Sequence, residues 1–401
     1  MVLVAYLGYG IAITQLGGAW DHEPSEMEAG LSPGARALVD RAWDGIDPAR
    51  LLDYHTHLIG LGTSGSGAFA SPEMRSWWHI TKRIRFEVYV SAAGVTDLDD
   101  ADRQFVARLT DLVRHIPRHG RHLLLAFDKT YTPGGEADLK HTEFFTPNEY
   151  AFEVAAKAPD LFVPAISVHP YRADAPQALE AWAKRGARII KWLPNAMGID
   201  PADPQCDPYY KKVRELGLVL LTHSGEEKAV DGEEAQALGN PLRLRRALDA
   251  GVKVIVAHCA SLGSNPDLDD PEAEPQTNFD YFVRLMEEKR YEGLLFGEIS
   301  ATAQFNRLPG PLVTMLARTD LHARLVNGSD YPLPAINVLV RTGRLVDLGL
   351  ITDEERDQLR EIYDYNPLLF DFVLKRALKD PKTGRGFPAS VFLEHPALPA
   401  R

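Results

Sequence analysis

Cysteine is almost missing from this chain: there are two in 401 residues, Cys206 and Cys259, far apart and outside any C-x-x-C. That excludes a disulfide framework and a thiolate metal site, and leaves the redox compartment open. A basic stripe is missing too. The 44 Lys and Arg are scattered among 56 Asp and Glu, and the formal net charge of -12 speaks against nucleic acid as a partner. The glycine-rich stretch Gly60 to Met74 has no G-K-[ST], so it reads as a mobile connection and not as a phosphate loop.

Charge is absent from Met1 to Trp20. The segment is just long enough to cross a bilayer, yet it has no basic n-region, and Thr14, Gln15 and several glycines dilute its hydrophobicity. Two readings stay open for residues 2–20: membrane contact as an anchor or uncleaved signal, or a hydrophobic arm folded on the protein itself. Localisation, membrane-anchored or extracytoplasmic against cytoplasmic, stays open with it.

What is present is ordinary folded-protein composition, 45% hydrophobic and 25% charged. The length suits one large α/β barrel or two domains. Short apolar, β-branched runs recur: Leu51 to His57, His122 to Asp128, Leu161 to Pro170, Ala187 to Pro194, Leu218 to Gly225, Val252 to Ala260, Leu294 to Ser300 and Arg324 to Pro332. Helical patterns separate them, near Asp102 to His115, Pro176 to Arg185, Asp207 to Leu216, Pro241 to Ala250, Tyr281 to Lys289, Pro311 to Ala317 and Asn337 to Leu348, after an opening helix at Ser32 to Trp43. Near-continuous apolar strands alternating with helices imply a parallel sheet covered on both faces, and eight units close into a (β/α)₈ TIM barrel. An open doubly wound sheet is the second choice. The expected organisation is a hydrophobic extension over residues 1–30, a barrel over 31–385 with an insertion after its first strand, and a tail over 386–401. The acidic tract Asn265 to Gln276 reads as a solvated loop.

The first strand ends in Asp53-Tyr54-His55-Thr56-His57. In an extended segment alternate residues share a face, so Asp53, His55 and His57 are expected to point together, with two imidazoles able to grip one ion. Alone the pair means little, because 13 His in 401 residues yield about 0.4 such pairs by chance. Its company changes that. Active sites of barrels lie at the C-terminal strand ends, where Lys191, His223, His258 and Asp330 also stand. These are donors suited to zinc or a similar divalent ion, and their joint placement points to a metal site.

The combination of D-x-H-x-H, the strand-four lysine, T-H-S, A-H-C and N-G-S-D-Y-P resembles the amidohydrolase superfamily, in particular its amidohydrolase-related (amidohydrolase 2-like) group, over roughly Leu51 to Asn366. The resemblance implies that His55, His57 and Asp330 hold a metal, that His223 and His258 complete the site, and that Asp330 carries the proton. It implies one or two ions, most readily Zn²⁺, with Lys191 carbamylated in the two-ion case. Asp330 and His258 are then the expected catalytic residues, with Arg172, His169 and Glu298 the candidates for substrate binding. The expected function is metal-dependent hydrolysis of a small ester, lactone or amide. Decarboxylation or hydration of a carboxylated small molecule is the alternative, and a non-catalytic, membrane-anchored binding protein a third. The partner is a small-molecule substrate, and a homo-oligomer is compatible with the sequence.

Overall fold

The computed structural model describes residues 2–18, 20, 22–230 and 233–400. Parts of the expected N-terminal extension (Met1, Ala19 and Asp21) lie outside the described residues.

All eight expected strands form, each shorter than its apolar run: β1 (Leu52–His57), β2 (Arg121–Leu125), β3 (Phe162–Ala165), β4 (Ile189–Trp192), β5 (Val219–Thr222), β6 (Lys253–Val256), β7 (Leu295–Glu298) and β8 (Leu325–Val326). Neighbours pair in parallel from β1 to β3 and from β4 to β8. The bridge Ile166↔Ile190 joins β3 to β4. The last seam closes through Thr56↔Tyr331, with Tyr54 N donating to Asn327 O at 2.9 Å. The ring of strands is the (β/α)₈ barrel.

Its interior is filled by inward-facing apolar side chains, among them Leu52, Tyr54, Leu123, Val163, Ile189, Val219, Ile255 and Phe296. The residues expected to form the tail belong to this packing. Leu398 and Ala400 are buried in the same cluster, Leu393 pairs with Leu51, and the Tyr54 hydroxyl donates to Leu398 O at 3.0 Å. Residues 386–400 thus close the N-terminal end of the barrel.

Local chemistry explains the helices. Pro33–Ala42 starts at Ser32, whose hydroxyl accepts from Ala35 N at 3.2 Å, with Pro33 pre-set for the first turn; Ala35, Leu38, Val39 and Ala42 form its buried stripe. The insertion after β1 holds a helix that has no clear apolar period, α2 (Ile80–Ala92), followed by α3 (Ala101–Arg114). The glycine-rich stretch before α2, expected to be mobile, is pinned. The Asp102 carboxylate accepts from Leu61 N, from Gly62 N at 3.0 Å and from Ser66 Oγ. The uncharged N-terminal segment forms α1 (Val2–Gly17), packed along α2. Among the described residues no helix is long and apolar enough to cross a membrane. The acidic tract folds back as a short antiparallel pair, Ser264–Asn265 with Gln276–Thr277. Its Asp267 and Asp269 are paired with Arg284 and Arg245.

Candidate metal centre and active-site cavity

Strict alternation along β1 does not hold. The register against β2 shifts between Asp53 and Thr56, a bulge that places one extra residue on β1. Leu52 and Tyr54 face the barrel interior, and so, after the bulge, do His55 and His57. Asp53 is therefore not on the ligand face. Its carboxylate lies 3.3 Å from His122 Nδ1, and its Oδ1 accepts from His55 N at 2.8 Å and Ser329 N at 3.0 Å. From there it clamps the backbones that carry His55 and Asp330.

At the C-terminal end of the strands the expected donors converge. His55 Nε2 lies 3.3 Å from His57 Nε2 and 3.4 Å from Asp330 Oδ1, and His57 Nε2 lies 3.1 Å from the same oxygen. Lys191 Nζ reaches His55 Nε2 at 3.1 Å, and His258 Nε2 stands 3.8 Å from Asp330 Oδ2. His223 Nε2 is buried with no hydrogen-bond partner among the described residues. Burial drives the imidazoliums of His55 and His258 well below their usual range and that of His223 down to about 3, so these rings are neutral with a lone pair to offer. Lone pairs and a carboxylate gathered this closely fit a divalent cation: nitrogen and oxygen donors, neutral rings, and an orphaned imidazole nitrogen.

A hydrogen-bonded chain orients these rings. Glu298, fully buried at the end of β7, accepts at Oε2 from His55 Nδ1 at 2.9 Å and from the Ser300 hydroxyl at 2.7 Å, while His258 Nδ1 donates to Ser300 Oγ at 2.8 Å. With Nδ1 protonated on both rings, Nε2 is left as the donor atom. Glu298 is thus engaged behind His55, on the ring side opposite Nε2. His223 is held similarly, its Nδ1 3.5 Å from Glu227 Oε2. Gly328, before the turn to Asp330, has to be glycine: a Cβ there would come within 2.6 Å of His55 Cβ and 2.7 Å of Glu298 Oε1. His258 and Asp330 adopt left-handed backbone (φ 55° and 62°), strain of order 1–3 kcal/mol each that the surrounding packing enforces.

A family described as amidohydrolase matches residues 52–368. This chain belongs to the amidohydrolase family. The family is metal-dependent, and the donors above are the candidate ligands. No curated protein matches the sequence. Solved structures that resemble this amidohydrolase include an uncharacterised TIM-barrel protein from Bordetella bronchiseptica (15% identity, 77% of this chain and 94% of that one, TM-score 0.42). Another is a candidate 2-pyrone-4,6-dicarboxylic acid hydrolase from Pseudomonas putida (13% identity, 83% and 96%, TM-score 0.41). A third is a 5-carboxyvanillate decarboxylase from Novosphingobium aromaticivorans (12% identity, 81% and 94%, TM-score 0.42).

In this amidohydrolase the donors form one end of a cavity of about 390 Å³. Most of the remaining lining is apolar, built by Phe86 and Tyr89 of α2, Phe105 of α3, and Phe144, Ile336 and Leu339 from later loops. None of the three expected substrate-binding residues, Arg172, His169 and Glu298, is among the described residues of this lining. The Arg172 guanidinium is tied to Asp128 at 3.1 Å and Asp174 at 2.8 Å, and His169 is buried with Nε2 2.9 Å from Met197 O. Two residues that sequence reasoning missed do line it. Glu227 follows His223 by four residues, and Arg307 carries no motif. Arg307 is 8% exposed; its Nη1 donates to Ser261 Oγ at 2.9 Å and its Nε has no partner among the described residues. The one available signal was its place in the loop after β7.

Proposed function

We propose that this protein is a metal-dependent hydrolase acting on a small ester, lactone or amide, with His55, His57 and Asp330 holding a divalent cation and His223 and His258 completing the site. The observation carrying this reading is the placement of Lys191. Its amine is 1% exposed and 3.1 Å from His55 Nε2, and burial pushes its ammonium down to about 8. A free amine there is open to carbamylation, which would add two carboxylate oxygens for a second ion. When bound, the cation supplies Lewis acidity, polarising a carbonyl and making water acidic near pH 7.

The chain's own groups do the rest. Asp330 is placed to take the proton of the attacking water at a carboxylate oxygen and return it to the leaving oxygen or nitrogen. His258, fixed from behind through Ser300, presents its Nε2 lone pair 3.8 Å from Asp330 Oδ2, where both would face the same bound cation. The apolar walls exclude bulk water and receive the substrate's carbon skeleton. Metal analysis of gently purified protein should find about one or two equivalents of Zn²⁺ or Mn²⁺. An ester, lactone and amide panel should find turnover that His55→Ala removes together with the metal. Metal-free protein without turnover would overturn the reading, and turnover that survives loss of the metal would do the same.

One observation favours a second reading, a decarboxylase or hydratase acting on a carboxylated substrate. Arg307 is a buried guanidinium with no carboxylate in hydrogen-bonding distance among the described residues, a built receptor for an anionic group. A single ion with unmodified Lys191, shown by intact-protein mass, together with a KM for carboxylated substrates that rises in Arg307→Gln, would select the lyase.

A further inference from the structure

The metal-site cavity is more apolar than the chemistry at its polar end requires. α2 keeps no clear apolar period along its whole length, yet Phe86, Tyr89, Val90 and Ala93 stand at i, i+3, i+4 and i+7, one face of a helix, and all four line the cavity. That face is held in place across the cavity. The Tyr89 hydroxyl donates to Ala229 O at 2.8 Å, in the loop after β5, and Arg85 Nη2 donates to Glu143 Oε1 at 3.3 Å. Phe105 of α3 lines the same space with its ring 5.8 Å from that of Tyr331, the neighbour of Asp330, and Ile336 and Leu339 add aliphatic surface from the loop after β8.

Among the described residues, unpaired charge in the lining is confined to the end that holds the donors. Of the charged lining residues outside the candidate ligands, Arg85 is paired as above, Lys228 is paired with Glu226 at 3.3 Å, and Glu227 accepts from Val230 N at 3.0 Å beside His223. Arg307 is near enough to His223 and His258 for its guanidinium to oppose their protonation, which puts it with the reacting group and not with the rest of the substrate. A charged arm reaching past these groups would shed its water against Phe86, Tyr89, Phe105 and Leu339 without an unpaired countercharge, whereas a hydrocarbon arm gains from every methylene it takes out of water. The cavity of about 390 Å³ falls in the range that encloses a drug-sized molecule, well beyond what a reacting carbonyl and its leaving group fill.

Resting on the hydrolase reading above, we infer that the acyl arm of the substrate is an uncharged hydrocarbon group seated between α2, α3 and the loop after β8, and that Phe86, Phe105 and Leu339 set the length of arm accepted.

Two series of compounds test this, one reactive and one inert. Methyl esters from butanoate to decanoate, offered to the metal-loaded full chain, should show kcat/KM rising about three- to fourfold per methylene until the cavity is full. The matching methyl ketones, which cannot be hydrolysed, should bind the same protein in calorimetry with the same gradient and a negative heat-capacity change. A methyl ester of equal length whose arm ends in a carboxylate should be the poorer substrate by roughly tenfold or more. Phe86→Ala should weaken binding of methyl nonyl ketone roughly tenfold and raise KM for the decanoate more than for the butanoate. Leu339 is only partly buried, so Leu339→Trp keeps the fold, with metal content as the control, and should move the optimum of both series to shorter arms. Ketone affinity indifferent to chain length would overturn the inference, as would an optimum unmoved by Leu339→Trp or a preference for the carboxylate-tipped ester. Graded ketone binding without turnover of any ester would overturn the hydrolase reading and leave the hydrocarbon ligand class standing.

Discussion

The two ends of this barrel are built to opposite standards. At the N-terminal end every feature favours stability: Leu398 and Ala400 plug the interior, and the Tyr54 hydroxyl both donates to Leu398 O at 3.0 Å and accepts from His395 N at 2.9 Å. At the C-terminal end the same strands carry buried imidazoles stripped of their charge, a buried lysine beside them, an orphaned His223 nitrogen and, just past the strand ends, His258, Cys259, Ala260, Ala301 and Asp330 in left-handed backbone. The contrast shows where the fold stores unsatisfied chemistry. The plugged end and the apolar interior offset what the open end costs, so chemistry and stability should respond separately to substitution.

That separation can be broken or sharpened by measurement. His55→Ala should cut turnover by roughly a thousandfold or more with loss of metal, and leave the apo-protein folded, as read by activity, metal content and circular dichroism. A collapse of the fold would show that the two ends are coupled. Leu398→Ala should do the reverse, costing about 2–5 kcal/mol in chemical denaturation while kcat stays within a factor of two or so, because it opens a cavity in the fully buried plug. Ser300→Ala removes the hydroxyl between His258 and Glu298, and should weaken metal affinity by about 10–100-fold in chelator competition with little change in unfolding free energy. Metal removal from the wild type should lower its melting temperature, and by less in Ser300→Ala, since bound cation stabilises in proportion to the logarithm of its occupancy. The smallest expected effect is Tyr54→Phe, about 1 kcal/mol of stability for its hydrogen bonds and no change in KM. A shift in KM there would mean that the bulge after Tyr54 transmits to His55.

Much of this was legible in the chain. Parallel strands covered on both faces have to be apolar nearly throughout, so eight such runs announce themselves, and polar residues at their C-terminal ends stand out against them. His55, His57, Lys191, His223, His258 and Asp330 could be named for that reason, and the structure brings all six to one end of the barrel. Helix Pro33–Ala42 was likewise expected, at Ser32 to Trp43.

What stayed hidden depends on groups far apart in sequence. The bulge in β1 arises from pairing with β2, and it turned Asp53 from the expected ligand face to the back of the strand, where His122 and Ser329 N meet it. Glu298 looked like a substrate contact because alternation says nothing about which side of His55 a neighbouring strand will approach; the Cβ-free Gly328 lets it in from behind. Arg172 and His169 sit at the right end of a strand, yet Asp128 and Met197 O claim them first. Arg307 had no motif at all, and only burial in the cavity wall gives its guanidinium meaning. Periodicity and ligand type are properties of short segments and can be read along the chain. Which side chain is satisfied by a neighbour, and which is left facing the cavity, is settled by contacts across the barrel that no local pattern contains.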